Sequence, residues 1–383
     1  MRRSVRRVLG MGVVLGTMGL AFSGSALGAV VGTSPIPTYQ ANGRVYVITV
    51  ANGTVYIGGS FTSVRPAGSG GSSTTRNRVA AFDEATGTLL PWNPNVSGTV
   101  RAIDVVGSTA YLGGSFTSVG GTGRRNLAAV DAGSAGAVQS WNPTASNEVL
   151  DIGHIGGTLY VGGDFTTVAG SARTRLAAFD TSTGSLTSWA PSADALVKAL
   201  SVTADGSKVI VGGDFTHVNG TSQSHIAALD PSTGVPLPWA THVSYSVIDL
   251  DADANGVFVG GGGAGGNFAG LDPSTGARQW IGGTNGNVQA ISVVGGVVYV
   301  GGHYGTYCGQ VAGAHTCQHP TARAKLLAVD ESTGALLPWN PGANSSLGVF
   351  ALAGDPATGN LFAGGDFTTI GGRSQQRYAE FTP

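Results

Sequence analysis

The densest group of residues able to do chemistry lies between positions 303 and 319: His303, Tyr304, Tyr307, Cys308, His315, Cys317 and His319. Cysteine and histidine at close range can hold zinc, but this spacing fits no common structural zinc module. Cys308 and Cys317 are the only two cysteines of the chain, and a lone pair in an exported protein is expected as a disulfide. The loop it staples carries Tyr304, Tyr307, His315 and His319 as candidate ligand contacts, because a rigid loop loses less conformational freedom on binding. A second group is basic. Arg78, Arg125, Arg175 and Arg323 stand for eleven Lys and Arg that recur in one loop of a repeat, a collar that would suit a sulfated or phosphorylated glycan. The same residues could instead pin their own loops, with Arg173 or Arg175 on Asp164 and Arg373 or Arg377 on Asp366. The third group is Asp104, Asp151, Asp249 and Asp251. Their oxygens could hold a calcium ion or accept from backbone amides at strand ends. No calcium-loop motif accompanies them, so no metal site is assigned and no other cofactor is expected. Nucleophile elbows, H-E-x-x-H and phosphate-cradling Gly-rich loops are all missing. His154 near Asp151 is a single histidine, and paired carboxylates meeting across the fold remain open.

The elements that must position these residues are legible from self-similarity. "VYIGGSFTSV" (55–64) recurs as "AYLGGSFTSV" (110–119), "LYVGGDFTTV" (159–168), "VIVGGDFTHV" (209–218) and "LFAGGDFTTI" (361–370), with degenerate copies at 257–266 and 298–307, which makes seven. Between copies runs a second signature such as "LAAFDTSTGSLTSW", and all six Trp close these segments. Trp92, Trp141, Trp189, Trp239, Trp280 and Trp339 each precede the first residue of the next strand by eight positions: Val100, Val149, Val197, Val247, Val288 and Leu347. Each repeat reads as four short strands, and seven such units predict an all-β, seven-bladed β-propeller with four antiparallel strands per blade. Near-continuous apolar runs such as "RLAAF" suit sheets covered on both faces. Asp before Thr-Gly marks the turn into the fourth strand, and the Gly pair before Phe allows close approach of blades or a bulge. The Trp series is expected to dock one blade on the next.

The expected blades are 43–96, 99–145, 147–192, 194–242, 244–284, 286–343 and 345–383. The last unit has three strands. Its fourth is expected from residues 33–41, where Tyr39 takes roughly the Trp place, so that an N-terminal strand closes the ring and leaves no bare edge. The "GGDFT" and "AAFD.STG…W" segments resemble the delta-60 repeat propellers of secreted actinobacterial proteins, over residues 33–383. "AGLDPSTGARQW" is similar to the tryptophan-docking motif of quinoprotein alcohol dehydrogenases. That similarity implies structure rather than chemistry: those enzymes have eight blades and adjacent cysteines, whereas Cys308 and Cys317 are nine positions apart.

The N-terminus carries Arg2, Arg3, Arg6 and Arg7, then the uncharged run Val8–Phe22 and small residues before Ala29. Residues 1–28 therefore read as a signal peptide, too short in its apolar run for a membrane span of roughly 20 residues. With the leader go four of the 20 Lys and Arg, leaving 16 against 21 acidic residues and a net charge of −5. That argues against nucleic-acid binding, which needs a basic excess. Residues 29–383 are expected as a single domain, a secreted monomer with no remaining membrane span and with cell-wall association in view. Its expected role is a non-catalytic binding or adhesion platform for an extracellular glycan, cell-wall polymer or protein. The alternative is a secreted enzyme acting on carbohydrate or an alcohol at the channel mouth.

Overall fold

Every repeat unit opens with a strand that starts on or next to a buried valine. In the second unit, Thr99–Val106, Thr109–Ser115 and Leu127–Asp131 form an antiparallel sheet with Thr109–Ser115 in the middle. The equivalent opening strands are Val45–Ala51, Val149–Ile155, Val197–Val202, Ser246–Ala252, Val288–Val294 and Val349–Gly354. The computed structural model describes residues 30–68, 71–239, 243–263, 265–310, 317 and 320–383. The expected signal peptide, His315 and His319 lie outside them. The protein is all-β, and no helix occurs among the described residues.

Burial follows from packing sheet on sheet. The middle strands Val209–Gly213 and Val257–Gly262 are buried at every residue, which explains the unbroken apolar runs. The core is not one central mass but a series of layers between neighbouring units. One such layer joins Tyr56, Val79 and Ala81 of the first unit to Val100, Leu112 and Ala128 of the second.

The two glycines of each "GG" have separate tasks. A Cβ at Gly113 would stand 2.7 Å from Val149 Cγ1 of the next unit, so this glycine permits close approach of sheets. A Cβ on the following Gly114 would run into the Thr99 carbonyl oxygen of its own sheet. There the opening strand carries a β-bulge, and the register shifts between Val100 and Ala102.

The tryptophans dock between units. Trp92, Trp189 and Trp339 are almost fully buried, and Trp239 and Trp280 are buried as well. The indole N–H donates to a turn carbonyl of the adjoining segment: Trp92 to Asp131 (2.8 Å), Trp141 to Gly184 (2.8 Å), Trp189 to Asp230 (3.0 Å) and Trp280 to Glu331 (2.7 Å). Edge-to-face contacts with Tyr56, Tyr111, Tyr160 and Tyr299 accompany four of them.

Two expectations need correction. The fourth strand is reduced to an isolated bridge in most units, as at Phe82↔Leu89, Val130↔Val138 and Phe179↔Leu186. It is a full strand only at Arg278–Thr284 among the described residues. Pro94, Pro143, Pro191 and Pro341 stand two positions after their Trp and lack the N–H a ladder needs, whereas Trp280 is followed by Ile-Gly. The spacing of eight also fails at its last copy. Leu347 is 40% exposed, and the strand begins at Val349. Two extra residues form a turn in which Ser345 Oγ accepts from Leu347 N (3.1 Å) and Gly348 N (2.6 Å).

At the N-terminus, Ile36 bridges Glu380, and Gly32 N donates to Thr382 O at 2.8 Å. Buried Gln375 donates its amide to the Thr38 and Tyr39 carbonyls.

Candidate functional site

The bulge in each opening strand decides which side chains reach a shared cavity. An extra residue on one strand tilts its side chain out of the alternation. The register shifts place that residue at Tyr46, Arg101, Leu150, Lys198, Ile248, Gln289 and Phe350. All of these line a single cavity of about 700 Å³, well within the usual size of a ligand site. Glu148 and Asp164 also line it, so it opens at the end of the sheets where the opening strands begin.

Its rim is held by paired groups. Tyr46 and Phe350 meet at 5.3 Å between ring centres, and the Arg101 guanidinium lies over the Tyr46 ring at 4.1 Å. Arg101 Nε also contacts Glu148 Oε1 at 3.1 Å, and Lys198 Nζ contacts Asp214 Oδ1 at 2.7 Å and Ser246 Oγ at 3.0 Å. Half-exposed pairs like these add little stability, but they fix where the side chains stand. The result is an aromatic pair flanked by charged groups of both signs.

Farther along the opening strands the aspartates act as staples. The opening strands of adjacent units make no backbone ladder with each other, so side chains satisfy N–H groups that face the gap. Asp151 accepts from Leu200 N (2.6 Å) and Ile152 N (2.8 Å). Asp249 accepts from Ile291 N (2.8 Å), and Asp251 from Val293 N (2.8 Å) and Ser292 Oγ (3.1 Å). Asp104 takes His154 Nδ1 at 2.7 Å. These carboxylates thus serve backbone amides, the Ser292 hydroxyl and the His154 ring, and no group of three or more His, Cys, Asp or Glu that could hold a metal occurs among the described residues.

Burial pushes the Asp151 carboxyl up to about 7 against the pull of its two N–H donors, and the Asp251 carboxyl up to about 6. Asp249 is raised well above the ordinary carboxylate range for the same reason. The hydrogen bond to Asp104 raises His154 against the opposing effect of burial.

The sixth-unit loop does not supply an aromatic surface. Tyr304 is 2% exposed, donating its hydroxyl to Val300 O at 2.7 Å, and Tyr307 is buried against Phe268. The reason is register within the repeat: Tyr304 aligns with buried Phe165 and Tyr307 with buried Val168. Cys308 and Cys317 are joined as a disulfide.

The basic collar largely serves its own hairpins. Arg323 donates to the Ala322 and Leu337 carbonyls (2.9 and 3.2 Å), and Arg76, Arg124 and Arg173 do the same at their own positions. Arg78 and Arg175 adopt positive φ and donate to the Ser60 and Ala193 carbonyls. Arg125 is exposed. The expected carboxylate partners matter less: Arg175 Nε is 3.9 Å from Asp164, and Asp366 pairs with Arg44 instead. Sequence reasoning missed the bulged residues of this cavity altogether. The position after each opening valine marks them, once the bulge opposite the second glycine is known.

Comparison with known proteins agrees on architecture. A family model described as a domain of unknown function (DUF5122) beta-propeller matches residues 157–186 and 204–232. Among solved structures, the WD40 beta-propeller domain of Doa1 superposes with a TM-score of 0.56 at 12% identity, covering 90% of this chain and 97% of that one. The computationally designed Ika8 protein gives a TM-score of 0.56 at 15% identity, covering 92% and 100%. No curated protein sequence matches significantly. At such identities the likeness concerns fold alone. Repeated antiparallel sheets, their docking tryptophans and these matches together make the chain a β-propeller repeat protein.

Proposed function

We propose that this protein is an exported, non-catalytic binding module of the delta-60 repeat type, a closed seven-bladed propeller whose channel mouth grips a glycan or cell-wall polymer. The observation that carries the reading is the ring of bulged residues around the 700 Å³ cavity. Tyr46 and Phe350 offer apolar ring faces to a sugar, while Arg101, Lys198, Glu148 and Asp164 stand ready for its hydroxyls. Closure is supported by contacts between the chain's ends. A Cβ at Gly364 would stand 2.6 Å from Val45 Cγ1, Trp339 donates to Gly32 O at 3.1 Å, and Phe82 stacks on Tyr378 at 5.3 Å. Export is supported by the basic-then-apolar N-terminus and by the Cys308–Cys317 disulfide.

One observation favours an enzyme as the second reading. Asp151 lines the cavity with its carboxyl raised to about 7, the range a general acid needs. Both its oxygens hold backbone amides, however, which suits a staple better than a proton donor. A glycan array probed with the mature protein and with Tyr46→Ala/Phe350→Ala separates the readings. Binding that the double variant loses supports ours; oligosaccharide cleavage abolished by Asp151→Asn would replace it.

A further inference from the structure

The fifth unit departs from the others at one corner. Elsewhere a short hairpin stands beyond the middle strand, as in Ser118–Val119 with Thr122–Gly123 or Thr167–Val168 with Ser171–Ala172. In the fifth unit Val257–Gly262 passes to Gly266–Leu271, and no such hairpin occurs among the described residues. The sequence there, "GGGGAGGNFAG", lacks the Phe-Thr-x-Val that builds it. A cavity of about 390 Å³ opens at this corner, between the fourth and fifth units.

Its polar lining carries one full positive charge, that of Arg278. Tyr245, His225, Ser224, Ser244 and Asn267 also line it, and no Asp or Glu does so among the described residues. Tyr245 is 6% exposed and its hydroxyl has no hydrogen-bond partner among the described residues. Such an orphan is costly to leave unmade, and in a native structure it calls for an explanation. Burial holds this phenol in its protonated form, and the Arg278 guanidinium is near enough to act on it. Arg278 is exposed and makes no ion pair among the described residues. His225 turns Nδ1 toward Gly213 O at 3.2 Å, so that nitrogen carries the proton and Nε2 is left for other partners.

We propose that this cavity is a second ligand site, which takes the oxyanion of an acidic sugar, a carboxylate or a sulfate ester. A guanidinium supplies a planar two-donor fork for such a group, and the Tyr245 hydroxyl supplies the donor that now lacks an acceptor. The volume suits one monosaccharide unit rather than a polymer segment. The site does not rest on the channel-mouth reading, since it lies in a different corner and shares no residue with that ring.

Isothermal titration of the mature protein with sodium glucuronate, glucose 6-sulfate and neutral glucose tests it. One or both anions should bind and glucose should not, the two anion arms telling carboxylate from sulfate. Arg278→Gln and Tyr245→Phe should each weaken binding at least tenfold. Tyr245→Phe removes a single oxygen, and an unchanged melting curve verifies that it folds. Tyr46→Ala, at the channel mouth, should leave the titration unchanged, which keeps failure of one site apart from failure of the other. No heat from either anion, or equal binding by wild type and both variants, overturns the proposal.

Discussion

Replacing Trp189 with alanine strikes at what holds one sheet on the next. The side chain is 2% exposed, its ring meets Tyr160 edge-on at 5.0 Å, and its N–H donates to Asp230 O at 3.0 Å. Truncating a buried Trp costs about 3–5 kcal/mol through lost transfer energy and the cavity left behind. Part of that is the edge-to-face contact, about 0.5–1.5 kcal/mol, and part is the Asp230 carbonyl left without its donor, about 1 kcal/mol. Collapse will not relieve the loss, because Gly234 and Pro191 border the site with backbone held in tight turns. Trp189→Phe keeps a ring but loses the N–H and should cost about 1–2 kcal/mol. Urea unfolding followed by circular dichroism reads both. A loss below about 1 kcal/mol for Trp189→Ala would refute the docking argument, since that is the range of exposed positions.

Further expectations concern the staples. Replacing Cys308 and Cys317 together with Ser should leave the sheets intact by circular dichroism and lower stability by about 2–3 kcal/mol at most, because the loop closed is short. A collapse of the spectrum would contradict this. Gln375→Ala should destabilise by several kcal/mol, since the buried amide serves the Thr38, Tyr39 and Tyr378 carbonyls; an unchanged melting temperature would remove the N-terminal segment from the fold's support. Asp151 and Asp251 are raised in the folded state to about 7 and about 6, so the native protein binds more protons than the unfolded chain between about pH 4 and 7. Their contribution is therefore fully present below about pH 4 and lost as pH rises through 6 to 7. Urea midpoints across that range should show Asp151→Asn flattening the slope. A parallel curve for the variant would show that Asp151 does not titrate there.

Much of the architecture was readable because each unit repeats the same solution. The Trp series and the Cys308–Cys317 bond follow from local residue types, and the Gly pair, read as close approach or a bulge, serves both. The functional residues were harder. Tyr304 and Tyr307 drew attention as aromatics on an interrupted loop, although their alignment with Phe165 and Val168 already placed them inside. The arginines read either as a ligand collar or as pins of their own loops, and their recurrence at one repeat position reflects carbonyls left to be satisfied at each of these hairpins. The bulged residues were hidden for another reason. Arg101, Leu150 and Gln289 share no chemistry, and only a bulge, a property of strand register, turns them to the same side.

The proposal that the cavity lined by the bulged residues is the contact surface is tested most directly by hydrogen–deuterium exchange of the protein with and without an oligosaccharide that binds it. Protection should appear in the opening strands around Tyr46, Arg101, Leu150 and Lys198, whose side chains ring one cavity. Protection confined to the hairpins, such as Thr306–Gly309, with the opening strands unchanged, would contradict the account.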